Sequence, residues 1–273
     1  MNLELIKKLC ELKEENLYTV LVKFLHVHEY TKIIRNKDFI LAEGNIPVCL
    51  VAHMDTVFIS PPKGDDYLYD TERQILWHPG GSGFDDRAGI YAILELVMRG
   101  LRPHILFTRG EEKGGIGAQA VLTRYSKFPF GKLKLLIEID RANEKDAVFY
   151  DCDNEDLINY IEKEDFVFDF GTFTDISFLM DGWKVGGVNL STGYEDEHTQ
   201  SEKLHCDWLD ATIDKVEKIL RKVDKMPYFK YVPMQYPRMI YNWGDDQCVI
   251  CGTPTKYKAY GMPVCDSCYR EYY

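Results

Sequence analysis

Pro47-Val48-Cys49-Leu50-Val51-Ala52, running straight into His53-Met54-Asp55, is the stretch on which the reading of this chain turns. An uncharged run this short reads as an interior strand rather than a buried helix. Two further runs end the same way: Ile105–Thr108 leads to Glu111-Glu112, and Leu133–Ile139 leads to Asp140. Strands buried on both faces are the habit of parallel sheets. In open α/β sheets, ligands gather beyond the carboxyl ends of the strands. Histidines and carboxylates recurring at that one edge point to a metal centre.

Outward from these strands, helical and extended patterns alternate. Leu5, Leu9, Leu12, Leu17, Val20, Leu21 and Phe24 predict one or two helices from Leu3 to about Leu25. Phe39–Leu41 reads as a strand. A helix is expected from Asp85 to Arg99, with Ile90, Ile93, Leu94 and Val97 on one face and Gly100 as its stop. Gly114-Gly115-Ile116-Gly117-Ala118 opens another. Ala147–Tyr150 and Val185–Leu190 read as strands and Asp156–Glu162 as a helix. Leu209, Ile213, Val216, Leu220 and Val223 mark a long amphipathic helix. The expected fold is therefore α/β, a mostly parallel, mixed central sheet flanked by helices. Residues 1–226 are expected to form the main domain and 227–247, with three prolines, an ordered linker; 248–273 would be a small module.

Bulk properties narrow the function. At 273 residues, 45 % hydrophobic and 28 % charged, the composition is that of a globular protein. No apolar stretch approaches the roughly 18–20 residues of a membrane span, and the N-terminus shows no secretory pattern, so a cytoplasmic home is expected. A net charge of −11 argues against nucleic-acid binding; bound cations can neutralise part of it. Cys10, Cys49, Cys152 and Cys206 are scattered and expected to be reduced thiols.

Each motif has an ordinary reading beside the chemical one. His53-x-Asp55 alone is weak evidence, although an acid two residues along suits fixing a histidine tautomer. Asp85 and Asp86 open a helix, where acids commonly cap; capping accounts for one of the two. Glu111-Glu112 would be a solvated surface pair elsewhere, but here it follows a buried strand. One carboxylate can then bind metal while its neighbour faces water. His26, His28, His104 and His205 are expected to be ordinary surface or core residues, and so is His78, although it could reach the cleft.

The ordered series His53-x-Asp55, Gly83-x-Asp85-Asp86-x-x-Gly89, Glu111-Glu112, Asp140 and His198 resembles the co-catalytic dinuclear zinc exopeptidases and amidohydrolases. Phe107-Thr108, Asn189 to Tyr194, Thr199 and Glu202 extend the resemblance over roughly Pro47 to Glu202. The resemblance implies that His53 and Asp140 bind one metal, Glu112 and His198 the other, and that Asp85 bridges them. It implies Asp55 as the residue orienting His53, Glu111 as general base, and a cis peptide between Asp85 and Asp86. Two Zn²⁺ suit this set, with Co²⁺ or Mn²⁺ as substitutes. Many relatives insert a lid or dimerisation domain between the last two ligands. Here fewer than sixty residues separate Asp140 from His198, so a lid-less form is expected. Tyr194 or the Gly171–Asp175 loop could then serve as a substrate contact, and Arg141 and Asn143 could hold a substrate carboxylate.

Near the C-terminus, Cys248-x-x-Cys251 and Cys265-x-x-Cys268 form the spacing of a four-thiolate structural zinc site and resemble a zinc ribbon. The segment is too short to bury a core, so its metal would supply the folding energy. Its few cations favour docking to the main domain or a protein partner over nucleic acid. The expected activity is hydrolysis of peptide or amide bonds, foremost by an aminopeptidase on short peptides. A deacylase or carboxypeptidase on N-acyl amino acids is the alternative within the class. An inactive scaffold binding partners through its ribbon is the alternative outside it, disfavoured because every ligand and the base are present.

Overall fold

The computed structural model describes residues 1–62, 66–234, 248, 253–255, 258–259, 262–263 and 265. Its elements in chain order begin with α1 (Leu3–Glu11), α2 (Glu14–Val27), β1 (Ile33–Arg35), β2 (Phe39–Ala42), β3 (Ile46–His53), β4 (Leu68–Asp70) and β5 (Ile75–Trp77). Next come α3 (Phe84–Met98), β6 (Pro103–Thr108), α4 (Ile116–Arg124), β7 (Leu135–Arg141), β8 (Asp146–Val148), α5 (Glu155–Glu162) and β9 (Val167–Asp169). Then follow α6 (Asp175–Trp183), β10 (Gly187–Ser191), β11 (Tyr194–Glu195), β12 (Lys203–His205) and α7 (Cys206–Arg221), with a short 3-10 turn (Val223–Lys225) and two further strands, β13 (Lys258–Ala259) and β14 (Met262–Pro263), after them.

Eight strands form the main sheet in the order β1-β2-β6-β3-β7-β10-β8-β9. The central β6, β3, β7 and β10 are parallel, while β2 and β8 join antiparallel. The mixed, largely parallel sheet expected from the sequence is present. Alternation along β3 shows why its apolar run is continuous. Val48, Leu50 and Ala52 face a core shared with α1, α2, α3 and α7. Cys49 and Val51 face a second core closed by α4 and α6. Full burial of each large side chain here contributes about 2 kcal/mol.

The expected helices and strands are found with small shifts of their ends. The N-terminal pattern resolves into two helices, and Asn2 caps the first by accepting from the Leu5 amide at 3.1 Å. A second, four-stranded antiparallel sheet, β11-β12-β5-β4, has no counterpart in the sequence reading, and neither has α6. The chain separates into two units, Met1–Val232 and Pro233–Tyr273. Phe229 and Tyr231 are buried in the first unit, and Lys230 bridges to Val185, so the start of the expected linker packs there. In the second unit Lys258–Ala259 pairs antiparallel with Met262–Pro263, and the Cys248 amide donates to the Thr253 carbonyl oxygen at 2.8 Å. Cys251 and Cys268 lie outside the described residues. No helix among the described residues is long and apolar enough to cross a membrane.

At Gly89, α3 lies close against the backbone of β7. A Cβ there would lie 2.0 Å from the Ile139 carbonyl oxygen and 2.3 Å from Asp86 Oδ1. Neither backbone nor buried carboxylate can yield cheaply. Gly89→Ala is expected to lower stability by about 2 kcal/mol or more through overpacking, read as a fall in the urea midpoint at unchanged slope. An unchanged midpoint would show that α3 and β7 are less tightly seated.

Candidate metal centre

Because β6, β3 and β7 are neighbours and parallel, their carboxyl ends emerge side by side. His53 ends β3, Glu111 and Glu112 follow β6, and Asp140 lies at the end of β7. Asp85 enters from the start of α3, across the cis Asp85–Asp86 peptide that the resemblance implied. His198 comes from the loop between β11 and β12, in the left-handed region at φ 63°.

These residues converge as two trios of donor atoms. His53, Asp85 and Asp140 form one; Asp85, Glu112 and His198 form the other, the atoms of each lying within 4.8 Å of one another. Asp85 belongs to both, and its two oxygens divide between them. Oδ1 is 3.0 Å from His53 Nε2, and Oδ2 is 2.9 Å from His198 Nε2. Asp140 Oδ1 stands 3.7 Å from His53 Nε2, and Glu112 Oε2 stands 3.2 Å from His198 Nε2. The other Glu112 oxygen is buried without a hydrogen-bond partner. Imidazole and carboxylate donors in this number, with an orphaned oxygen among them, fit a pair of divalent cations of the zinc type.

Supporting contacts fix the donors. His53 Nδ1 faces the Asp55 main-chain oxygen at 3.1 Å, whereas the Asp55 carboxylate is farther, at 3.6 Å. With the proton on Nδ1, Nε2 is left as the donor to a metal. The Asp55 carboxylate instead accepts the amides of Gly110, Glu111 and Glu112, shaping the loop that carries both glutamates. Asn189 brackets Asp140, accepting from its amide at 2.9 Å and donating to its carbonyl at 3.1 Å. Thr174 donates to Asp140 Oδ2 at 3.1 Å, and Thr108 donates to Asp175. The buried Glu202 accepts three amides, from Ser82, Gly83 and Asp85, at 2.6–3.0 Å.

The electrostatics are those of crowded acids. Burial works against ionising Asp85, yet His198 and His53 hold its carboxyl well below the usual range. Asp85 and Glu112 in turn push His198 up to about 11. Burial disfavours a charged His53, but Asp140, Asp55 and Asp85 outweigh it and raise its pKa. Burial and the Asp85 charge lift Asp140 to about 6. Burial, with the charges of Asp140, Asp175 and Asp85 around it, raises Glu111 to about 9 against the opposing pull of His53.

The other sequence candidates sit as follows. The buried Tyr194 hydroxyl is within 3.0–3.1 Å of the Asp140 carbonyl and carboxylate. Arg141 pairs with Asp169 at 2.7 Å and with Asp146 at 3.8 Å, and Asn143 donates to Asp146. His205 stacks on Trp208 and bonds Glu195, and His104 accepts from the Gly44 amide. The buried His78 packs edge-on against Tyr67. Sequence reading gave no role to Thr174 or Asp175 beyond their loop; Glu202 was visible only as matching text.

No family model matches the chain, and no curated protein matches it in sequence. Solved structures do match in shape. A tripeptidase from Staphylococcus aureus aligns over 81 % of this chain and 97 % of its own, with TM-score 0.67 at 13 % identity. The two chains share a fold. The aminopeptidase PepT from Bacillus cereus aligns over 81 % and 97 %, with TM-score 0.65 at 14 % identity. A Zn-dependent exopeptidase from Parabacteroides distasonis aligns over 76 % and 89 %, with TM-score 0.53 at 16 % identity. At such identities the likeness speaks for the fold, and one fold can host several activities.

Glu202→Gln replaces one of the two oxygens that hold the Ser82–Asp85 loop with an NH₂ group facing backbone N–H donors. The expected result is weaker divalent-metal binding, by roughly 10-fold, measured as faster zinc release to a chelating dye. Unaltered release would mean that Asp85 is positioned without Glu202.

Proposed function

We propose that the protein is a zinc-dependent hydrolase of peptide bonds, an aminopeptidase acting on short peptides. The observation that carries this reading is the shared carboxylate of Asp85, whose two oxygens face two separate imidazole–carboxylate sets. His53 and Asp140 would hold one ion, Glu112 and His198 the other, with Asp85 between them. Such ions supply, when bound, Lewis-acid polarisation of a carbonyl oxygen and a lowered pKa for water. Asp55 keeps His53 in the donor tautomer through its main-chain oxygen. Glu111 takes the proton of the attacking water on its carboxylate and delivers it to the leaving amine. Its place beside Glu112, directly after β6 and next to the donor trios, supports that role. Cys248, Cys251, Cys265 and Cys268 would hold a third, structural zinc, on the strength of their spacing.

Arg141 is engaged by Asp169 and Asp146, which supports the aminopeptidase over the deacylase or carboxypeptidase reading that assigned it a substrate carboxylate. Turnover of aminoacyl anilides against N-acetyl amino acids separates the two.

Elemental analysis of the purified chain is expected to find about three zinc ions, and a chelator should abolish turnover. Glu111→Gln should keep the metals while kcat falls by roughly 10³-fold. Activity surviving complete metal removal would end the metal reading, and an undiminished Glu111→Gln protein would remove Glu111 from the mechanism.

A further inference from the structure

A cavity of about 550 Å³ opens beside the donor trios and shares Asp55 and Glu112 with their surroundings. Its wall includes Lys13 from the turn between α1 and α2, Phe58 from the loop after β3, Ser82 and Arg87 around the start of α3, and Lys113. Arg87 is only 4 % exposed. One guanidinium nitrogen donates to the Leu9 carbonyl oxygen at 3.1 Å, while Nε is buried without a hydrogen-bond partner. Arg87 forms no ion pair among the described residues, and the acids whose charges reach it are engaged elsewhere. Glu14 pairs with Arg109 at 2.9 Å, Asp55 accepts three loop amides, and Asp86 accepts the amides of His53 and Gly89. The Ser82 hydroxyl, 1 % exposed in the same wall, also lacks a partner.

A buried cation without a counter-ion is costly, and a charge that lines a cavity can receive its counter-ion from outside. The planar guanidinium fork matches a carboxylate in particular. Lys13 and Lys113 add positive charge to the same wall, where Glu112 pairs with His198 through one oxygen and Glu15 forms no ion pair among the described residues. The geometry points to this cavity as the subsite for a substrate carboxylate, held by Arg87 and Ser82. A short peptide offers that group from two places, an acidic first side chain or its own C-terminus. The assignment of the ligand as substrate rests on the hydrolase reading; the carboxylate preference does not.

Binding is read by isothermal titration on the metal-loaded Glu111→Gln protein, so that turnover does not intervene. Glutamyl anilide against glutaminyl anilide tests the side chain; leucyl-glycine against leucyl-glycinamide tests the C-terminus. In one arm the carboxylate member is expected to bind about tenfold tighter or more, and that arm names the source. Arg87→Met should bring the ratio near one, and the exposed Lys113→Glu, which leaves the core untouched, should shrink it several-fold. Ratios near one in both arms, or a ratio surviving both variants, would overturn the subsite. Lack of turnover in the unaltered protein would count against the hydrolase reading alone, since the binding ratios are read separately.

Discussion

Everything in the larger unit is arranged around an electrostatic contradiction. Asp85, Glu111, Glu112 and Asp140 are brought together in a place poor in water, where like charges repel strongly. Asp85 stays ionised because His53 and His198 face its two oxygens, while Asp140 and Glu111 are driven towards their protonated forms. Divalent cations would resolve the conflict. The polypeptide prepares for them with main-chain geometry: three parallel strand ends, a loop pinned by Glu202, and an Asn189 side chain clamped around the Asp140 backbone.

The parts of this arrangement visible in the sequence are those where a donor sits on a periodic element. His53 and Asp140 terminate apolar strands, Glu111 and Glu112 follow one, and Asp85 opens a helix, so pattern and chemistry coincide. His198 has no such element beside it, and only the ordered series of motifs made it a candidate. The small sheet that carries its loop was invisible because its strands are only two or three residues long. Periodicity needs more residues than that, and such strands exist through backbone pairing rather than side-chain preference. α6 escaped because its start, Thr174-Asp175, read as loop, and its length of nine residues includes Gly182.

Partnerships were less legible than positions. The series of motifs implied that Asp55 orients His53, but the contact runs through its carbonyl, and its carboxylate shapes the glutamate loop instead. Glu202 binding three amides is a property of backbone direction, which no residue pattern encodes. Arg87 sat in full view inside the Asp85–Gly89 motif. What sets it apart is a missing neighbour, and a missing neighbour can be seen only in three dimensions.

The two donor sets also differ in their access to water. His53 is 1 % exposed, whereas the side chain of His198 is 50 % exposed, on a loop belonging to a different sheet. Exchange of an ion held at the inner position would therefore disturb the main core, while an outer one could leave by movement of a single loop. A pair of ions held here would in this sense be asymmetric in kinetics, the outer one the faster to be lost, replaced or starved.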